Sequence, residues 1–334
     1  MTIEPRVLGI PGQDNAVYMR IDSGQAIYNL LFDCGEGCIY PLGRSVLQEI
    51  DHLFLSHGHM DHICGFDGLF RHLYSRYRPL HIWGPRGTID IMHCRFRGFT
   101  WNLVSKSPGE IVVHEITRER IASAFFLCRE AFSTLHPLPE KPFESLILSE
   151  KDYEVRCAVL NHGIDCLGYA VVEPDRLNIN TEILSREGFV PGRWCAELKR
   201  TDLSPDTLME TGKGSFPLSR LREMLLEKKK GNKVGYVTDI SLTEDNRTKV
   251  LSLADQADEL ILECSYDDTE KELAEANFHL TVSQSAQTAL DAHVGRLTLF
   301  HFSDRYSREH MGQMHKKACV IFPNTFLPGH WIIG

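Results

Sequence analysis

The chain has 334 residues, is 43% hydrophobic and carries a formal net charge of −9. Its length allows one large domain with an insertion or two smaller domains, and it has no run of about 18 apolar residues that would suggest a membrane span. The acidic balance argues against holding nucleic acid by bulk charge, so a polyanionic substrate would need a local basic patch or bound cations. Residues Met1 to Arg6 lack the basic-then-apolar pattern of a signal segment, and a cytoplasmic location is expected. The ten cysteines are scattered. Cys34 and Cys38 are the closest pair, but no second pair follows to complete a zinc site, so they read as reduced thiols.

In chain order, Ala26–Phe32 reads as a strand with Asp33 at its end. His52–Leu55 reads as a second strand, ending at Ser56. The hexapeptide His57-Gly58-His59-Met60-Asp61-His62 follows directly. Three imidazoles and a carboxylate this close would repel or stay half-satisfied unless something coordinates them. Neutral imidazole and carboxylate oxygen are the ligands a divalent ion accepts. Ile63, Phe66, Leu69, Phe70, Leu73 and Tyr77 then recur at helical spacing, which places Asp61 near a helix N-terminus, where the dipole favours a carboxylate. Gly58 is expected to fold the loop tightly, so that His57 and His59 reach one ion while Asp61 and His62 reach another.

One hexapeptide cannot complete two metal spheres, and three later strands carry a suitable residue at their ends. Leu80–Trp83 and Val155–Leu160 read as strands, and His162 stands just past the second. Glu173 to about Asn232 is polar and broken by Pro174, Gly188, Pro191, Gly192 and Pro217. Its clear helix is Leu218–Lys229, and it reads as an inserted arm. The run Lys228-Lys229-Lys230 reads as a solvated helix end. Lys233–Thr238 is a strand ending at Asp239, and Arg296–Phe300 is a strand ending at His301. Glu259–Glu263 is a further strand, with helices at Thr243–Gln256 and Val282–Ala292. Strands alternating with helices on both sides of the arm imply a layered α/β sandwich. Five histidines and two aspartates are about what two metals with a shared carboxylate require.

The pattern resembles the metallo-β-lactamase superfamily and, within it, the tRNase Z family. The likeness spans most of the chain: Phe32-Asp33-Cys34-Gly35-Glu36-Gly37, the hexapeptide, Leu80 to Gly87, His162 with Gly168-Tyr169, and Asp239 with Ala257 to Glu263. His301-Phe302-Ser303-Asp304-Arg305-Tyr306 and Phe322-Pro323-Asn324-Thr325 complete it. The resemblance implies a four-layer αββα sandwich with an inserted arm at 173–232. It implies two divalent metal ions, with zinc expected and manganese or iron accepted by the same ligands. His57, His59 and His162 would hold one; Asp61, His62 and His301 would hold the other; Asp239 would bridge them. Asp33 would orient a ligand. Asp61, Glu263 and His279 would act in catalysis, and Arg305 would contact phosphate. The implied activity is removal of the 3′ trailer of precursor tRNA, by a homodimer.

The chain departs from that pattern in places. Thr238-Asp239-Ile240 stands where the family has Gly-Asp-Thr, and Leu262-Glu263-Cys264-Ser265 where it has His-Glu-Ala-Thr. The loop Gly9 to Asn15 has little basic character, and basic residues of the arm are nearly balanced by acids. Two alternatives follow: a metallohydrolase of small phosphodiesters, esters or lactones, or a non-catalytic metal-stabilised RNA-binding or regulatory protein.

Overall fold

A computed structural model describes residues 2–331 of the chain. Its first sheet has eight strands in sequential order: β1 (Thr2–Gly9), β2 (Asn15–Asp22), β3 (Ile27–Phe32), β4 (Ile50–Phe54), β5 (Leu80–Pro85), β6 (Glu110–Ile116), β7 (Arg120–Leu127) and β8 (His136–Pro142). β3 to β6 run parallel, flanked by antiparallel neighbours. Helices α1 (Arg44–Gln48), α2 (Met60–Ile63), α3 (Phe66–Leu73) and α4 (Thr88–Phe96) belong to this half. Phe66, Leu69, Phe70 and Leu73 of α3 are buried with Leu53 and Ile82 of the sheet. The helix expected through Tyr77 ends at Leu73, and Tyr77 is exposed.

The second sheet has seven strands. It begins with β9 (Leu146–Ser149), β10 (Glu154–Asn161) and β11 (Asp165–Val172). The chain then forms a compact unit of its own, Glu173–Gly231, with β12 (Arg176–Ile179), α5 (Thr181–Arg186), α6 (Trp194–Glu197), β13 (Leu208–Thr211), β14 (Gly214–Pro217), α7 (Leu218–Leu225) and β15 (Leu226–Lys229). Leu184, Phe189, Trp194, Leu218, Leu221 and Leu225 make its small core. The helix expected over Leu218–Lys229 stops at Leu225. Leu226 takes φ −91° and ψ 131°, and Leu226–Lys229 pairs antiparallel with Arg176–Ile179. Lys228 and Lys229 therefore lie on a strand rather than a helix end, and Lys228 Nζ sits 2.8 Å from Asp175.

The second sheet resumes with β16 (Lys233–Val237), β17 (Glu259–Glu263), β18 (Leu297–Phe300) and β19 (Thr325–Phe326), all parallel. Between them come α8 (Glu244–Ala254), α9 (Lys271–Ala276), α10 (Val282–Asp291) and α11 (Arg308–Ile321). A Thr281–Gln284 capping box starts α10. β17 and β18 read as continuous apolar runs because parallel strands are covered on both faces. Phe32 and Phe54 of the first sheet pack on Tyr169 of the second, with ring centroids 5.6 and 5.3 Å apart. This is a four-layer αββα sandwich, as expected.

The first sheet also carries a histidine cluster that the sequence did not single out. His52 accepts from the Trp83 indole at 3.2 Å. His81 Nδ1 lies 3.0 Å from His114 Nε2, and His114 Nδ1 lies 2.8 Å from the Ser123 hydroxyl. Burial pushes both His52 and His114 down to about 3, and their charged neighbours are Arg76 and Lys141. The cluster is neutral and internally hydrogen-bonded, with no carboxylate contributing to it.

Candidate metal centre

Strand ends build the site. Asp33 follows β3, Asp239 comes just after β16 and His301 follows β18, and their φ angles are 54°, 49° and 56°. Left-handed backbone is uncommon for residues other than glycine. It costs of order 1–3 kcal/mol, so it persists where the surroundings over-determine it. His57 to His62 leave β4 and enter α2, which has His59 as its N-cap and Asp61 in its first turn.

The hexapeptide and the three later strand ends converge. His57, His59 and His162 form one set of ligand atoms lying within 4.8 Å of one another; Asp61, His62 and His301 form another. Asp239 joins His57 and His62 in a third such set, and joins Glu263, His279 and His301 in a fourth. Its Oδ2 stands 2.7 Å from His62 Nε2, 3.6 Å from His301 Nε2 and 4.0 Å from His57 Nε2.

The donors fit divalent cations. His57 Nε2 and His62 Nε2 are buried without a hydrogen-bond partner, an arrangement that calls for an explanation in a folded protein. His62 Nε2 is close to Asp239, yet the geometry is not that of a hydrogen bond; the two atoms converge on shared space instead. The far nitrogens are tied down, which orients the rings. Asp33 is fully buried and its Oδ2 lies 2.7 Å from His62 Nδ1. The same oxygen accepts from Ser56 Oγ at 2.7 Å and from the Tyr236 hydroxyl at 2.6 Å. His162 Nδ1 is 2.9 Å from the Phe278 carbonyl.

Charge in the cluster is unevenly spread. Burial pushes His57 down to about 2, so this ring is neutral, and burial also depresses His162. Burial works against a charged His62, but the Asp239 and Asp33 carboxylates outweigh it and hold the ring well above its usual range. For His301 burial is likewise outweighed, by Asp239 and Asp61. Burial would raise Asp61, but the His301 and His62 rings, 3.5 and 3.3 Å away, bring it down. A cation among these side chains would do what the extra protons do and displace them.

Beside these side chains, His279 Nδ1 sits 3.0 Å from Glu263 Oε2 and 3.2 Å from Asp239 Oδ1. Burial opposes its charge, but Glu263 and Asp239 push it up to about 9. Glu263 is itself fully buried, held by the Ile240 amide at 2.7 Å and by Ser265 Oγ at 2.7 Å. Ser265 Oγ also lies 3.2 Å from both His279 Nδ1 and His301 Nδ1. A cavity of about 230 Å³ opens here, lined by Asp61, His279 and His301, then by Tyr266, Asp14 and Asp304 among others.

Sequence reasoning missed the roles of Ser56, Tyr236 and Ser265, whereas the shifted hydroxyl of Thr238-Asp239-Ile240 was legible. Thr238 Oγ1 lies 3.1 Å from Asp239 Oδ2, so a hydroxyl supports that carboxylate from the preceding position rather than the following one. Ser56 and Ser265 were adjacent to readable motifs; the Tyr236 partner, Asp33, lies 203 residues away in sequence. Gly58 has no left-handed backbone, and an added Cβ would meet only the mobile end of Ile91 at 3.0 Å. The tight position is Gly35, where a Cβ would come within 2.5 Å of the Asp61 carbonyl. Arg305 does not line the cavity; its guanidinium pairs with Glu270 at 2.9 Å and lies 5.0 Å from the centre of the Tyr266 ring.

Residues 28–146 match the family model described as a beta-lactamase superfamily domain. A ribonuclease Z from Deinococcus radiodurans is 33% identical over 98% of this chain and 98% of its own length. The chain belongs to the ribonuclease Z family. A second family member, from Enterococcus faecalis, is 30% identical over 91% of this chain and 86% of its own. Among solved structures, a metallo-beta-lactamase fold protein from Bacillus subtilis shares the fold with TM-score 0.57 at 16% identity, covering 97% of this chain and 95% of that one. Human tRNase Z, short form, does so with TM-score 0.53 at 19% identity, covering 90% and 93%. Family membership and fold make the chain an enzyme, a metal-dependent hydrolase. No helix among the described residues is long and apolar enough to cross a membrane.

Proposed function

We propose that this enzyme is a two-metal phosphodiesterase that cuts the 3′ trailer from precursor tRNA. The observation that carries this reading is the near full-length match to a ribonuclease Z, joined to a complete His/Asp ligand set with Glu263 and His279 beside it. His57, His59 and His162 would hold one divalent cation, Asp61, His62 and His301 the other, and Asp239 would bridge. Bound there, two cations supply an activated water and neutralise charge on the phosphate. Asp61 is ionised and stands where it can accept a proton from water. His279 is held protonated by Glu263, which suits it to donate to the departing 3′ oxygen. Ser265 fixes the mutual orientation of Glu263 and His279. For Arg305 to reach a phosphate it would have to leave Glu270, an exchange between two charge-assisted partners.

A second reading, hydrolysis of small phosphodiesters, draws support from the cavity itself. No lysine or arginine is among its lining residues, while Asp14 and Asp304 are. Incubating the zinc-loaded protein with precursor tRNA and with bis-p-nitrophenyl phosphate separates the two. Cleavage of the tRNA at its 3′ side is the expected result. Robust hydrolysis of the small diester with an intact tRNA would overturn the first reading in favour of the second.

A further inference from the structure

A second cavity, of about 600 Å³, lies apart from the metal centre. Its lining includes Arg118 from the β6–β7 turn, Arg156 of β10, Lys233 at the start of β16 and Lys249 of α8, and it includes no acidic residue. Phe143, Val159, Val172 and Leu253 contribute apolar surface. In a chain of net charge −9 this is an unusual concentration of positive charge. It is the reverse of the metal cavity, which has carboxylates and no lysine or arginine among its lining residues.

The strand register separates the two cavities. Val172 pairs with both Glu154 and Lys233, whereas Asn161, beside His162, pairs with Asp165. Lys233 and Asp239 thus stand near opposite ends of the sheet, roughly 20 Å apart at about 3.3 Å per residue.

The cations are held but replaceably so. Lys249 Nζ lies 2.7 Å from Asp245 and 3.1 Å from the Val159 carbonyl. Arg118 is 3.8 Å from Asp245, Arg156 is 3.1 Å from Glu154, and Lys233 Nζ donates to the Asp255 carbonyl at 2.8 Å. The side chains of Arg118 and Arg156 are about half exposed, and such surface pairs contribute about 0–1 kcal/mol each. An incoming phosphate would exchange one partner for another at little cost, and two guanidinium forks match its oxygens.

We propose that this cavity binds a small organic phosphate with an apolar, ring-sized body, of the nucleotide class. Its volume falls in the ~300–1,000 Å³ range of sites for such ligands. A concave apolar wall suits a base, whereas a nucleic-acid backbone would be tracked by a charged groove. The inference does not depend on the substrate of the metal centre.

The test is a fluorescence titration of the zinc-loaded full-length protein with trinitrophenyl-AMP, in which the substitutions below separate this cavity from the metal centre. Saturable binding is expected, displaced by AMP but not by inorganic phosphate at the same concentration. The double substitution Arg118→Glu and Arg156→Glu should weaken it at least tenfold, with hydrolysis of bis-p-nitrophenyl phosphate by the zinc-loaded variant unchanged. Should that variant fail to fold, Arg156→Ala alone replaces it, with a smaller but measurable loss expected. Absence of saturable binding, binding undiminished in the variant that folds, or equal displacement by inorganic phosphate would each overturn the proposal.

Discussion

Two groups of histidines lie in this protein and their chemistry is opposite. In the first sheet, His52, His81 and His114 satisfy one another, Trp83 and Ser123, and no carboxylate contributes to them. At the strand ends, His57 and His62 bury nitrogens that have no hydrogen-bond partner, and Asp239 converges on the same space. Counting histidines does not separate the two groups. Buried carboxylates and orphaned nitrogens do, because together they form a donor set that suits a cation.

The sharpest way to break this contrast is Asp239→Asn. It should reduce bound zinc, measured by plasma emission spectrometry, and abolish phosphodiester hydrolysis. Two full equivalents of zinc in this variant would remove Asp239 from its bridging position. Next in size is His279→Ala, which should lower kcat by roughly 10²–10⁴-fold with metal content unchanged. Loss of metal in that variant would make His279 a ligand and not a proton donor. Asp33→Asn should weaken metal affinity by about 10–100-fold, read by chelator competition, because His62 loses the acceptor that orients it.

The other group predicts the smallest effect, and one on stability alone. His52 is held near 3 by burial, against about 6.5 in the unfolded chain. The unfolded state therefore takes up a proton that the folded state refuses. Stability is full above about pH 6.5 and falls as pH drops, by about 2 kcal/mol for this ring at pH 5. His52→Phe, between aromatic neighbours, should flatten the acid limb of a Tm-against-pH curve and leave zinc content and activity unchanged. A variant that lost zinc would show that the two groups are coupled.

The sequence made one half of this comparison legible and left the other silent. The hexapeptide and the residues after three apolar strands were readable because sites in sheet proteins are built at strand ends, and parallel strands announce themselves as apolar runs. The family resemblance added Glu263 and His279, whose burial and pairing depend on contacts that periodicity does not encode. The neutral cluster left no signal, since His52, His81 and His114 come together only when β4, β5 and β6 align. β1, β2 and β6 to β9 went unread for a related reason: their partners, not their own composition, define them. In the insertion, helical periodicity was extended four residues past Leu225, where pairing with Arg176–Ile179 prevails over local preference.

The left-handed backbone at Asp33, Asp239 and His301 bears on how any mutational map of this enzyme should be interpreted. At these positions one codon specifies both a functional side chain and the corner on which the chain changes direction. Asparagine tolerates that corner, so Asp→Asn changes report on the side chain alone. Alanine or a branched side chain bends two variables at once, and a dead variant of that kind does not distinguish a missing ligand from a misdirected loop. Library screens that treat alanine as neutral will overstate the importance of these three positions relative to His57 or His62, which carry no such corner.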